Sequence, residues 1–186
     1  MGSDASVESI IARVVRALDA SGVPYMLTGS FASTFHGAPR TTQDVDIVIA
    51  PTLGSLERLL RQFPDDSYYV SREAALQAYG QQSLFNVIDF TSGWKVDFIV
   101  RKTRPFSVEE FERRRSVELF GTTLFVATAE DVVISKLEWA QLSGSTRQLQ
   151  DVAGVVRTQA DALDIAYVDR WVQVLGLNAL WQNLKP

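Results

Sequence analysis

The chain has 186 residues, 46% hydrophobic and 22% charged, which is the make-up of a globular protein able to bury a real core rather than of a disordered one. Zero cysteines exclude disulfides, thiolate zinc and a cysteine nucleophile, and a single histidine, His36, excludes histidine-rich metal sites. The net charge of −4 provides no global attraction to nucleic acid, and no apolar run approaches the roughly 20 residues that span a bilayer. The start, Met1-Gly2-Ser3-Asp4, lacks a basic region leading into an apolar stretch, so a cytoplasmic protein is expected.

Val7, Ile10, Ile11, Val14, Val15 and Leu18 recur at helical spacing before Gly22 and Pro24, predicting an amphipathic helix over about residues 5 to 20. Tyr25-Met26-Leu27-Thr28 reads as a short buried strand, and Ser30 as the N-cap of a helix over Phe31–Phe35 that closes at His36-Gly37. Before Gly37, His36 reads as a helix-terminal residue. Val45–Ala50 is a second strand, and Pro51-Thr52 opens a helix with Leu53, Leu56, Leu59, Leu60 and Phe63 on one face.

Between residues 64 and 82 only Arg72–Tyr79 carries a helical signal. Leu84–Asp89 and Trp94–Val100, separated by Phe90-Thr91-Ser92-Gly93, read as a β-hairpin. A charged segment, Phe106–Arg115, precedes a strand pair around Val117–Phe120 and Thr123–Ala127 that turns at Gly121. Thr128, with Asp131 at its third position, caps the first of several helices, the others falling near 146–157, 161–175 and 177–184. The expectation is an α+β fold: a mixed sheet flanked by helices over 1–127, with a helical region over 128–186 packed on it.

Gly29-Ser30 is followed after thirteen residues by Asp44-Val45-Asp46, and Asp97 lies later inside another strand-like run. Residues two apart in a strand share a face about 6.6 Å apart, so Asp44 and Asp46 can converge on one ion or an ion pair. Asp97 on a neighbouring strand can complete the set, with Asp89 as its rival in the same hairpin. Two unit charges about 4 Å apart repel by about 4 kcal/mol at an effective dielectric near 20, so such carboxylates need a cation. An all-oxygen donor set suits Mg²⁺, and a paired site would take two ions. Gly29 permits close backbone approach and Ser30 can donate to a phosphate oxygen.

The stretch Leu27–Ile47 resembles the first motif of the DNA polymerase beta-like nucleotidyltransferase superfamily, in particular its bacterial minimal-nucleotidyltransferase and AbiEii-like toxin branch. That resemblance implies a nucleotidyltransferase fold, with nucleotide-binding residues Gly29 and Ser30 and catalytic metal ligands Asp44, Asp46 and Asp97. It implies transfer of a nucleoside monophosphate from a nucleoside triphosphate to an acceptor, with two Mg²⁺ ions and pyrophosphate release. The acceptor stays open among RNA such as tRNA, a protein and a small molecule. So does the alternative of a catalytically weak nucleotide-binding or toxin–antitoxin module with a cognate partner.

A looser resemblance covers Ala129–Leu137 and Arg147 with Asp151, making Lys136 a nucleotide-phosphate contact that Asp151 can orient. Arg40 and Thr42, between the Gly-Ser turn and the aspartates, join Asp151 as possible substrate contacts; loop positioning is their bland reading. The basic residues Arg101, Lys102, Arg104 and Arg113–Arg115 offer either a polyanion surface or a solvated, ion-paired face.

Overall fold

The structure, a computed structural model, describes residues 6–186; residues 1–5, and with them the start of the first expected helix, lie outside the described residues. Contacts divide the chain into two units, Met1–Leu27 with Thr42–Val126, and Thr28–Thr41 with Ala127–Pro186. The Gly29-Ser30 segment therefore groups with the C-terminal helices, and the three aspartates with the sheet.

In the first unit, α1 (Val7–Ser21) is capped by Ser6 and buries Ile10, Ile11, Val14, Val15 and Leu18, the stripe its spacing predicts. It packs on α3 (Leu53–Leu60), which Thr52 caps and whose Leu56, Leu59 and Leu60 face inward. Among the described residues seven strands form one mixed sheet: β1 (Tyr25–Leu27), β2 (Asp44–Ile49), β3 (Tyr68–Val70), β4 (Leu84–Asp89), β5 (Lys95–Val100), β6 (Arg115–Leu119) and β7 (Thr122–Val126). Their order is β3-β4-β5-β2-β1-β7-β6. β2 lies antiparallel to β1 and parallel to β5, so two stretches separated in sequence become central neighbours.

Burial alternates along all of β5 and over Asp44–Ile47 of β2, whose last residues, Val48 and Ile49, are both buried. Val45, Ile47, Val96 and Phe98 point into the core, Phe98 against Phe63 and Phe85. The acidic residues occupy the opposite phase. β3 is an addition to the expected elements, a three-residue edge strand paired with β4; α4 (Arg72–Gln81) and α5 (Pro105–Arg113) complete the unit.

In the second unit, α2 (Gly29–Phe35) begins one residue before the expected cap. Thr28 holds the N-cap position, while Ser30 lies inside the first turn and does not cap. α6 (Ala129–Ser143), α7 (Thr146–Gln159), α8 (Ile165–Leu175) and α9 (Asn178–Trp181) share a core containing Val133, Leu137, Val152, Val155 and Val168. α8 starts later than expected because Asp164 accepts from the amide of Tyr167 and sets the N-terminus there. Trp171 and Trp181 are buried, whereas Trp139 is exposed. No helix among the described residues is long and apolar enough to cross a membrane.

Candidate active-site residues

The parallel register of β2 and β5 sets Asp46 directly opposite Asp97, and Asp44 opposite Lys95. With a side-chain period of two, all four project from one face of the sheet. Asp44 opens β2 and is half exposed, where Thr42 Oγ1 accepts from its amide at 3.3 Å; Asp97 is only 15% exposed. Lys95 Nζ lies 2.9 Å from Asp97 Oδ2 and 3.3 Å from Asp44 Oδ1. The bond to Asp97 holds the Lys95 ammonium above the usual lysine range. Asp97 Oδ1 is buried without a hydrogen-bond partner.

Among the described residues no group of three or more histidine or acidic side chains forms a ready metal cluster. Two of the three aspartates instead share a lysine ammonium, a residue the sequence analysis did not single out. Its signal was present in the matched alternation Asp44-Val45-Asp46 and Lys95-Val96-Asp97, once the two strands are known to pair in parallel.

Asp89, the rival third carboxylate, is not beside Asp46. It lies on β4 opposite Tyr68, is 3% exposed, pairs with Arg13 and accepts from the amide of Thr91 at 2.8 Å. Those bonds tie α1 to the hairpin turn, which is a structural role.

In the second unit Ser30 is buried and its Oγ accepts a hydrogen bond from Arg40 Nη2. Arg40 Nε reaches Asp151 Oδ2 at 3.2 Å, and the same oxygen accepts from Lys136 Nζ at 2.7 Å. Lys136 also donates to Gln148 Oε1 at 3.0 Å. Four residues singled out in the sequence thus form one continuous chain, Ser30–Arg40–Asp151–Lys136. Lys136 and Asp151 are nearly fully buried, so their charges offset each other's desolvation.

Gly29 has φ of 60°, a conformation that glycine adopts without strain. Along α7, Arg147, Gln150, Gly154 and Arg157 line an open hollow of about 540 Å³ together with the 37–41 loop. The loop rests tightly on the helix: a Cβ on Gly154 would lie 2.8 Å from that of Ala38, and Thr158 Oγ1 donates to the carbonyl of Gly37 at 3.1 Å. His36 ends α2, where its Nε2 donates to the carbonyl of Ala127 at 2.7 Å. Burial pushes its basicity down.

Three of the basic residues after β5 are used in packing, while Lys102 and Arg115 are exposed. Arg101 and Arg114 lie over the Phe111 ring at 5.4 and 4.3 Å, and Arg104 lies over Phe106.

No protein-family model and no curated protein sequence matches the chain. Solved structures do. The antibiotic-resistance factor ANT(2″)-Ia, in complex with adenylyl-2″-tobramycin, is 11% identical with a TM-score of 0.59 over 92% of this chain and 98% of that one. An antigenic nucleotidyltransferase-like protein from Paracoccidioides brasiliensis is 17% identical with a TM-score of 0.61, over 97% and 89% of the two chains. The chain has the nucleotidyltransferase fold. Lincomycin-bound LnuA, a lincosamide antibiotic adenylyltransferase, is also similar, 9% identical with a TM-score of 0.51 over 78% of this chain and 93% of that one. At these identities the likeness is one of architecture, and roles must come from the residues themselves.

Proposed function

We propose that the chain is a Mg²⁺-dependent nucleotidyltransferase of the minimal-nucleotidyltransferase or AbiEii-like type, acting in the cytoplasm. The observation that carries this reading is the pairing of Asp46 with Asp97 across β2 and β5, with Asp44 on the same face, in a protein of nucleotidyltransferase fold. The residues fit a metal: all three donors are carboxylate oxygens, one of them buried and unpartnered, and the cluster already attracts a cation in Lys95. Asp44, Asp46 and Asp97 would hold two Mg²⁺ ions, which supply charge neutralisation at the transferring phosphoryl group.

The chain's own residues would do the positioning. Because Ser30 Oγ accepts from Arg40, its own hydrogen is left to donate to a triphosphate oxygen, beside the backbone of Gly29. Arg40, bonded to Ser30, would bring a positive charge to that phosphate, and Lys136 would act one step back by holding Asp151, which holds Arg40. Asp97 would take the proton from the acceptor. The acceptor oxygen forms its bond to the α-phosphorus as the bond to pyrophosphate breaks, a transfer in which positioning and charge stabilisation dominate.

The test is incubation of the protein with nucleoside triphosphates labelled at the α-phosphate in host lysate, following which RNA, protein or metabolite takes up label. Asp46→Asn should abolish labelling while remaining folded. Full labelling by the folded variant would refute the mechanism, and nucleotide binding without any labelling by the wild type would indicate a binding or toxin–antitoxin module.

A further inference from the structure

We infer that Lys95 is a resident cation of the carboxylate cluster, competing with divalent metal for Asp97 and Asp44 so that the idle protein holds a bare ion only weakly. This rests on the reading of Asp44, Asp46 and Asp97 as metal ligands. The ammonium lies 2.9 Å from one of these carboxylates and 3.3 Å from another, on the face where Asp46 and Asp97 stand opposite one another. A divalent ion on the same oxygens meets a positive charge already in place, and the two cations repel.

The arrangement is displaceable rather than locked. Lys95 is 37% exposed and Asp44 51%, so the ammonium can withdraw into water on its flexible four-carbon stem. Asp97, at 15% exposure, stays where its strand holds it. Lys95 is therefore a positioning residue: it neutralises the carboxylates while the protein is idle and yields them when a stronger cation arrives. A polyphosphate gives the displaced ammonium another anion to meet, so nucleotide and metal load together rather than the metal first.

The test uses the full chain without nucleotide and titrates it with Mn²⁺, reading free ion by electron paramagnetic resonance. Lys95→Met should bind Mn²⁺ at least about tenfold more tightly than the wild type, since it removes a unit charge within about 4 Å of the ligands. Lys95→Arg, which retains the charge, should stay near the wild type; Lys95→Gln serves if the methionine variant fails to fold. In chelator the Lys95→Met melting temperature should fall below the wild type and recover on adding Mn²⁺. Equal Mn²⁺ affinity in Lys95→Met and wild type, with Asp46→Asn weakening both, overturns the role of Lys95 and leaves the metal reading intact. Tight binding in Lys95→Met that survives addition of Asp46→Asn overturns both, because the ion then sits elsewhere.

Discussion

Asp46 and Asp97 face each other across a parallel ladder although about 50 residues separate them in the chain. Like charges placed directly opposite in a sheet repel, a cost that the Lys95 ammonium on Asp97 offsets only in part. Asp46→Asn should therefore be neutral or stabilising by up to about 1 kcal/mol in chelator, while transfer falls by about a thousandfold or more. Urea unfolding paired with pyrophosphate release measures the two effects on one sample; a stability loss matching the activity loss would make Asp46 structural.

Asp89 should behave in the opposite way. It is buried, paired with Arg13 and bonded to the turn amides, so Asp89→Ala removes a half-buried ion pair and the turn's hydrogen bonds together and should cost about 3 kcal/mol. Activity per folded molecule should be retained, as read by transfer assays well below the variant's melting temperature.

Asp151 is the shared acceptor of Lys136 and Arg40. Asp151→Ala should destabilise by about 3–5 kcal/mol, because it removes the carboxylate that offsets the charge of the buried Lys136 ammonium. Replacing the pair with Lys136→Met and Asp151→Leu should recover much of that loss, with a coupling of about 1–3 kcal/mol in a double-mutant cycle. Nucleotide binding should nonetheless weaken in the double variant, because Arg40 loses the carboxylate that aims it at Ser30.

His36 is the sole histidine, and burial lowers its pKa below 6.5. The unfolded chain then takes up a proton at a higher pH than the folded one. The stability tied to the neutral ring is complete above pH 6.5 and is lost as pH falls through the lowered folded value. Melting temperatures between about pH 7.5 and 5.5 should decline in the wild type and stay flatter in His36→Gln. Identical slopes would exclude the ring as the titrating group.

Local chemistry made the elements legible, and long-range pairing hid the rest. The stripe of α1, the Thr52 and Thr128 caps and the β4–β5 hairpin all follow from spacing and turn residues within a few positions. β3 gave no signal because three residues at a sheet edge, held by one neighbour, need no alternation. Ser30 was legible as a polar residue at a helix start but not as the partner of Arg40, ten residues on. Asp97 and Asp89 each sit in a strand of the same hairpin, so strand pattern left them rivals and the family resemblance favoured Asp97; the parallel pairing of β5 with β2 brings only Asp97 beside Asp46. The same pairing alone reveals Lys95.

The β2–β5 register also governs which changes in length the cluster can absorb. Residues added within the turn between β4 and β5 leave the strands in phase, so Asp44, Asp46, Lys95 and Asp97 keep their common face. One residue inserted between Lys95 and Asp97 moves the lysine to the opposite side of the sheet or forces a bulge. Insertional scanning of this hairpin would thus find a permissive tip and, a few residues away, a segment whose odd-numbered insertions dismantle the cluster.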